Sequence, residues 1–210
     1  AEAPLPEAMA VAIGSTVDMR FAYADPVRRV IDAFDGNPRN DYGGENTYEG
    51  FDMISPCFSG DCDREFDHPV WALRMHWKGA TAKANFPLLG ADLTPWRALS
   101  FRAALCIHDD LNPAGLDQDF LIRLVDGAGR TASLRLSEAA RLRYPSTLAT
   151  PQPQAPYRRE QLHTIRIPLT RFLTRNPALD LRSIASLQFQ MGVAGHDHGA
   201  MMLAQLEWSE

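Results

Sequence analysis

Apolar and polar side chains alternate with a period of two along much of the second half of the chain. The clearest segments are 162–169, 186–191 and 203–208, and connectors rich in turn-forming residues separate them. This period puts successive side chains on opposite faces of a β-strand. Several short strands of this kind, with turn signals between them, predict a β-sandwich.

The same alternation extends the prediction towards the N-terminus. Further strands are expected at 30–35, 71–77, 99–107, 120–125 and 133–136. The dipeptide Asp126-Gly127 follows one of them and is a hairpin signal. Residues 137–143 favour a short helix, whereas 36–69 contains many Gly, Asn and acidic residues and is expected to be irregular.

Length and composition are those of a globular domain. A chain of 210 residues, 45% hydrophobic and 22% charged, is long enough to bury one core. We expect an N-terminal arm or early strand at 1–26 and a single domain at 27–210. The formal net charge of -5 provides no general attraction for nucleic acid. No apolar run approaches the roughly 20 residues needed to span a bilayer.

The first residues and the cysteines both bear on the compartment. The chain opens Ala-Glu-Ala-Pro without a Met, as expected for a mature exported protein or for a domain cut from a longer chain. We therefore expect a secreted or periplasmic location. In that setting Cys57 and Cys62, with Gly60 between them, are expected to form a disulfide. Cys106 lies in an apolar strand and is expected to be a buried, inert thiol.

Six sequence pieces follow one another between Val30 and Trp208. They are Ile31-Asp32-Ala33-Phe34-Asp35 before a Gly/Asn-rich loop, then 99–102, 120–126, 165–169 with Phe172, 179–184, and a closing strand at 203–208. In this order they resemble the jelly-roll, galactose-binding-like domains related to carbohydrate-binding modules, which are often appended to secreted bacterial hydrolases. The resemblance implies an all-β jelly-roll sandwich of two antiparallel sheets, with a short helix, long loops and a polysaccharide or other glycan as partner. Such a fold does not by itself determine an activity.

The resemblance also implies a structural calcium ion between the first and last strands. Asp35 matches the acidic residue of the first strand, whereas Ala204 and Gln205 stand where the family usually has aspartates. Main-chain carbonyls, the Gln205 amide and the Glu207 carboxylate are the oxygen donors that remain. The predicted ligand set is therefore Asp35, Gln205 and Glu207.

Strand alternation also predicts a ligand surface. We take the strands that begin near residues 71, 120, 133 and 186 to share one sheet. Six polar side chains then lie on its outer face: Arg74, His76, Arg123, Arg135, Gln188 and Gln190. Arginine binds carboxylates through paired hydrogen bonds, and glutamine amides pair with hydroxyls, so an acidic or polyhydroxylated glycan is favoured. A solvated face, or a face packed against a neighbouring domain, would show the same pattern.

An aromatic platform is not expected on this surface. Trp71, Trp77 and Trp208 fall on the apolar side of their strands by alternation. A ligand on the outer face would therefore be held by hydrogen bonds rather than by stacking.

Catalytic motifs are weak by comparison. The sequence has no Gly-x-Ser-x-Gly elbow, His-Glu-x-x-His motif, phosphate loop or dinucleotide fingerprint. Asp109-Asp110 and Asp117 with Asp119 are candidate carboxylate pairs for glycoside hydrolysis, but acidic residues are common in such connectors. The sequence favours a non-catalytic accessory module that binds glycan. Two alternatives stay open: an interaction module that docks on a catalytic domain or partner subunit, and an unrecognised glycan-active hydrolase.

Overall fold

The computed structural model describes residues 27–58, 71–79, 81–106, 109–113, 115–142, 144 and 162–210, with the main chain only at Cys57 and Phe58. The predicted arm at 1–26 and the predicted disulfide partner Cys62 lie outside these residues. Cys106 is buried, with 1% of its surface exposed, as predicted.

The described residues contain eleven strands, one 3-10 turn and one α-helix, joined by loops. The strands are β1 Arg28–Asp32, β2 Thr47–Glu49, β3 Phe51–Phe58, β4 Trp71–Lys78, β5 Lys83–Ala91, β6 Ala98–Leu105, β7 Leu121–Asp126, β8 Thr131–Arg135, β9 His163–Pro168, β10 Ile184–Gln190 and β11 His198–Ser209. The 3-10 turn spans Leu136–Glu138 and the helix α1 spans Leu169–Arg175.

The strands form two antiparallel sheets packed face to face. The six-stranded sheet has the order β3-β4-β11-β6-β9, with β1 paired to β11, and the five-stranded sheet has the order β2-β5-β10-β7-β8. The fold is an all-β, jelly-roll sandwich, as predicted. The central strands β10 and β11 come from the C-terminal part of the chain, where the alternation in the sequence is clearest.

Asp126 closes the predicted hairpin between β7 and β8. Its Oδ1 accepts hydrogen bonds from the main-chain N–H groups of Ala128 at 3.0 Å and Arg130 at 2.9 Å. Its Oδ2 accepts from the Arg130 guanidinium at 2.7 Å and from Asp180 N at 3.0 Å. Burial raises the pKa of this carboxyl, but the hydrogen bonds from these donors hold it below its usual value.

Three strands were missed by the sequence prediction. Both β2 and β3 lie in the segment 36–69, which was expected to be irregular, and β5 was not predicted at all. The edge strand β3 contains Ser55 and Pro56 and has weak alternation; it pairs only with β4. Its strand conformation therefore depends on pairing with the next strand, β4, rather than on local propensity.

The helix prediction at 137–143 was wrong. Only the 3-10 turn at Leu136–Glu138 forms there, and Leu142 pairs with Gln118 in an extended bridge. The α-helix is instead α1, where Leu169 and Phe172 are three residues apart and are both buried. It packs beside the edge strand β8 and protects one end of that edge.

Aromatic rings join the two sheets in the core. Phe189 of β10 is fully buried, and its ring centroid lies 5.2 Å from Phe101 of β6 in the opposite sheet. Phe86 and Phe120 lie 5.9 Å and 5.5 Å from the same ring. These distances are typical of edge-to-face and tilted aromatic pairs. Phe189 therefore stands at the centre of the contact between the sheets.

The outer face of the six-stranded sheet carries a second apolar cluster. Its buried members are small or flexible side chains of β4, β6 and β11 and the residue after β6, namely Ala72, Ala104, Cys106, Ala200, Met202 and Ala204. Leu111 and Leu162 pack against them. The buried Asn112 side chain donates to the carbonyls of Cys106 and Ala200, both at 2.7 Å. The connector after β6 and the residue before β9 thus cover part of this face.

The first prediction tests the aromatic centre of the core. Replacing Phe189 by Ala is expected to lower the free energy of unfolding by about 3–5 kcal/mol, because the cavity removes ring contacts to both sheets. Replacing Leu89, which is 69% exposed, by Ala is the control and should change it by no more than about 0.5 kcal/mol. Urea denaturation measures both. Equal effects of the two substitutions would contradict this account of the core.

Candidate functional site

The six residues predicted to share one surface lie on two different sheets. Arg123, Arg135, Gln188 and Gln190 belong to β7, β8 and β10 of the five-stranded sheet. Arg74 and His76 belong to β4, which pairs with β3 and β11 in the six-stranded sheet. The prediction that they join the other four was therefore wrong. Alternation along a strand identifies which side chains share a face of that strand, but not which strands become neighbours.

The outer face of the five-stranded sheet, here called the polar face, is half-exposed and hydrophilic. One row crosses all five strands in register: Thr47, Asn85, Gln188, Arg123 and Ser133. At about 4.8 Å between neighbouring strands, this row extends over roughly 19 Å. A second row contains Glu49, Lys83, Gln190, Leu121 and Arg135.

Hydrogen bonds between strands hold the side chains of the polar face in place. Arg123 Nε donates to Ser133 Oγ at 3.0 Å, and Arg123 Nη2 donates to Gln190 Oε1 at 3.3 Å. Gln188 Nε2 donates to Asn85 Oδ1 at 3.1 Å. Because a guanidinium has five N–H donors, Arg123 is fixed through two of them and has others to offer a ligand.

The polar face is locally cationic although the whole chain is acidic. Lys83, Arg123 and Arg135 provide three positive charges, and Glu49 provides one negative charge 3.0 Å from the Lys83 ammonium. No aromatic side chain points outward from the five strands of this sheet in the described part of the chain. The groups that this face offers to a ligand are therefore hydrogen-bonding and charged side chains.

The tryptophans follow the prediction with one exception. Trp77 and Trp208 are buried, with 1% and 0% of their surface exposed. Trp71 has the same alternation but is 40% exposed, because it is the first residue of β4 and extends beyond the core. It belongs to the six-stranded sheet and does not contribute to the polar face.

Arg74 and His76 form a compact cluster with Asp109 on the outer side of the six-stranded sheet. Arg74 Nη2 lies 3.2 Å and His76 Nε2 lies 3.1 Å from the same Asp109 oxygen, Oδ2. Arg74 Nε also donates to His76 Nε2 at 2.9 Å. The same His76 nitrogen cannot accept from Arg74 and donate to Asp109 at once, so its protonation decides which of these two contacts is a hydrogen bond. These side chains bind one another and tie β4 to the connector after β6.

Three of the four acidic residues considered as catalytic pairs form hydrogen bonds or ion pairs within the protein. Asp119 Oδ1 accepts from Ser137 N at 2.9 Å, and its Oδ2 accepts from Ser137 Oγ at 2.7 Å. Asp117 Oδ1 accepts from Tyr144 N at 3.0 Å. Asp109 is committed to the cluster with Arg74 and His76. Asp109, Asp117 and Asp119 thus each have a structural partner.

The sequence missed the contributions of β2 and β5 to the polar face. Thr47, Lys83 and Asn85 lie there because their strands pair at one side of β10. The alternation of buried Ala84, Phe86 and Leu88 with more exposed neighbours would have revealed β5. Pro87 interrupts this alternation, and because proline within a run argues against a strand, β5 was not predicted. The Pro87 carbonyl accepts from Asn40 Nδ2 at 2.9 Å.

The predicted calcium ligands lie near the junction of β1 with β11. Asp35 is exposed, and its Oδ1 accepts from Asn37 N at 3.0 Å. Glu207 lies 3.7 Å from the Arg28 guanidinium, and burial raises the pKa of its carboxyl. Gln205 occupies an irregularity of β11, with a positive φ of 49°. The described residues hold no group of three or more His, Cys, Asp or Glu side chains placed to bind a metal, so a calcium ion here would need amide or main-chain oxygens in addition to any carboxylate.

The buried acid of the first strand is Asp32 rather than Asp35. Its side chain accepts hydrogen bonds from Phe34 N at 2.6 Å and from Asn46 Nδ2 at 2.5 Å. Burial raises the pKa of this carboxyl. Asp32 fixes the loop that follows β1 against the start of β2.

Solved structures with the same architecture are carbohydrate-binding modules and parts of larger enzymes. A family 30 carbohydrate-binding module matches with a TM-score of 0.55 and 13% identity over 79% of this chain and 81% of its own. A family 11 module from Clostridium thermocellum, in complex with a β-1,3-1,4-mixed-linked tetrasaccharide, matches with a TM-score of 0.51 and 14% identity over 87% of this chain and 95% of its own. The chain has the jelly-roll fold of carbohydrate-binding modules.

The same fold occurs within an exo-β-agarase. That structure matches with a TM-score of 0.51 and 11% identity over 86% of this chain but only 25% of its own length. No protein-family profile and no curated protein sequence matches the chain. Within the described residues, no helix has the length and apolar character needed to cross a membrane.

The second prediction concerns calcium. If the first-to-last-strand site holds an ion, the ion stabilises the folded state by mass action, and EDTA should then lower the melting temperature while added calcium restores it. Replacing Glu207 by Gln should weaken this response. A melting temperature that is unchanged by EDTA and by calcium would show that this chain does not use the site.

The third prediction concerns the pH dependence that His76 confers. Burial is the largest influence lowering the His76 pKa; Arg74 and Lys78 also lower it, against the opposing effects of Asp109 and Asp52. Below the ordinary histidine pKa of about 6.5, the unfolded chain binds a proton that the folded chain does not. The free energy of unfolding should therefore fall as the pH drops through 6.5 towards the lower pKa of the folded state.

Replacing His76 by Gln should reduce this fall, because glutamine does not titrate. Urea denaturation of parent and variant at a series of pH values from about 5 to 7.5 measures the difference between them. Above the ordinary pKa the contribution of His76 protonation vanishes, so the two curves should become parallel there. Curves that are parallel over the whole range would contradict the lowered pKa.

Proposed function

We propose that this chain is a non-catalytic carbohydrate-binding module that holds a polysaccharide on the polar face. The observation that carries the proposal is the row of five polar side chains that crosses the five-stranded sheet in register. Amide, hydroxyl and guanidinium groups are spaced along it at intervals set by the sheet. An extended polyhydroxylated chain has hydrogen-bonding groups along its length and is a suitable ligand for such a row.

The two outer faces of the sandwich differ in a way that favours this location. The outer face of the six-stranded sheet is occupied by the cluster that includes Ala104, Ala200 and Ala204, and connecting segments pack against it. The polar face has half-exposed side chains held in place by their neighbours. A ligand binding there would find donors that are already oriented, which reduces the entropic cost of binding.

We further propose that the preferred ligand is an acidic polysaccharide. Arg123 lies in the central row, and its guanidinium has donors beyond those used by Ser133 and Gln190. With Lys83 and Arg135 nearby, the local charge attracts a carboxylate. Hydrogen bonds to charged groups are stronger than those between neutral groups, so a uronate would gain more from this face than a neutral sugar.

The proposed setting is an exported protein in which this module accompanies a catalytic domain. The likeness of this fold to one quarter of an exo-β-agarase supports an accessory position within a larger glycan-active protein. The ordered complex of a family 11 module with a tetrasaccharide supports glycan as the ligand of this architecture.

The fourth prediction tests the polar face through Arg123. Replacing Arg123 by Ala should weaken binding of a uronate-containing polysaccharide by about 1.5–3 kcal/mol, the range for a hydrogen bond to a charged group. Replacing it by Lys should weaken binding less, because the charge remains but the planar fork is lost. Raising the salt concentration should weaken binding by the parent. Affinity electrophoresis over uronate-containing and neutral glycans measures these effects.

The matched control is Arg102→Ala. Arg102 is a half-buried arginine on the outer face of the other sheet, so its loss should leave glycan binding unchanged. Melting temperatures confirm that each variant is folded. If no glycan binds to the parent while a purified catalytic domain binds through Arg123, the module docks on that domain instead. Release of reducing sugar from a bound glycan would show that the chain is a hydrolase.

A further inference from the structure

A separate cavity lies at the end of the sandwich where β5, β9 and β11 finish. It has a volume of about 440 Å³ and lies between the connector from β5 to β6 and the start of α1. Small-molecule sites typically have volumes of roughly 300–1,000 Å³. The cavity is therefore large enough for a small ligand, and it shares no residue with the polar face.

The lining of this end cavity combines one aromatic ring with apolar and polar groups. Trp96 is half-buried: it packs against the main core and also lines the cavity. Pro95 and Leu173 add apolar surface, and Arg97 and Thr170 are exposed at its rim. A cavity lined by an indole, a guanidinium and a hydroxyl suits a ligand that is apolar on one side and polar at its edge.

Main-chain hydrogen bonds hold the connector that carries Trp96. Leu93 N donates to the Leu181 carbonyl at 2.7 Å, and Arg97 N donates to the Ser209 carbonyl at 3.0 Å. The Arg97 carbonyl in turn accepts from Leu169 N at 2.8 Å. The connector is thus attached to three other parts of the chain, and the cavity is preformed.

The Arg97 guanidinium is available at this site. The side chain is exposed, and no hydrogen bond or ion pair joins it to another of the residues that the structure describes. Only its main-chain groups are engaged in the contacts that hold the connector. Arg97 therefore adds a positive charge to the cavity that Trp96 also lines.

We propose that the end cavity binds a single sugar ring. The C–H face of the ring packs against the Trp96 indole, and a hydroxyl or carboxylate at its edge accepts hydrogen bonds from the Arg97 guanidinium. This site takes one ring at the sandwich end, whereas the polar face extends over several strands. Binding at the end cavity does not require glycan binding on the polar face.

The experiment titrates the full chain with methyl glucoside, methyl galactoside and galacturonate by isothermal calorimetry and ligand-detected NMR. Arg97→Ala should weaken the tightest of these about tenfold or more, as expected for loss of a hydrogen bond to a charged group. Trp96→Ala should abolish binding, whereas Trp96→Phe should retain part of it. Arg123→Ala is the matched control on the polar face and should leave binding of these single sugars unchanged.

Tryptophan fluorescence gives a second measurement. In a Trp71→Phe background, Trp77 and Trp208 remain but are buried, at 1% and 0% exposure, so Trp96 is the indole that a ligand can reach. Sugar binding should change its emission, and the change should disappear in Trp71→Phe/Trp96→Phe.

The outcomes separate this inference from the proposed function. Because Arg97 is exposed, Arg97→Ala should melt near the parent temperature, so weaker binding would reflect the site rather than unfolding. The inference is overturned if no single sugar binds the parent, or if binding is the same in Arg97→Ala and Trp96→Ala as in the parent. The two proposals can also be separated. If Arg97→Ala loses single-sugar binding while Arg123→Ala affects no glycan, the end-cavity site is supported and glycan binding on the polar face is rejected.

Discussion

The contact of Phe189 with rings from both sheets is the interaction on which the arrangement of this protein depends. Phe189 belongs to the central strand of the five-stranded sheet, and its closest ring, Phe101, lies in the opposite sheet at 5.2 Å. Because side chains of a strand alternate between its two faces, burying Phe189 inward forces Gln188 and Gln190 outward. The packing of the core thereby determines the composition of the polar face.

The two sheets use their outer faces differently, and side-chain size explains the difference. Alanines on β4, β6 and β11 let connecting segments pack closely against the six-stranded sheet, which buries that face. Longer polar side chains on β5, β7 and β10 bond to one another across the strands and stay half-exposed. These bonds orient the side chains but leave further guanidinium donors of Arg123 for a ligand, and this is the basis of the proposal that glycan binds there.

Three arginines of this fold differ in what their side chains contact, and the contacts determine what each can do. Arg74 is held by Asp109 and His76, so its charge ties a strand to a connector. Arg123 is held by a hydroxyl and an amide, which orient the guanidinium without neutralising it. Arg97 at the end cavity is engaged through its main chain. The sequence alone presents the same residue type in all three places, and the difference arises from what the fold brings near each one.

The sequence by itself determined the class of fold and, within the strands that it identified, most of the side chains that face the core. Period-two alternation identified β4, β6, β7, β9, β10 and β11, and the Asp-Gly turn identified the hairpin between β7 and β8, because these signals are local in the chain. Only the tertiary structure decided that Arg74 and His76 lie outside the polar face and that Thr47, Lys83 and Asn85 lie on it. Strand order depends on pairing between segments far apart in sequence. Such pairing is selected by the packing of the whole core and leaves little trace in any single strand.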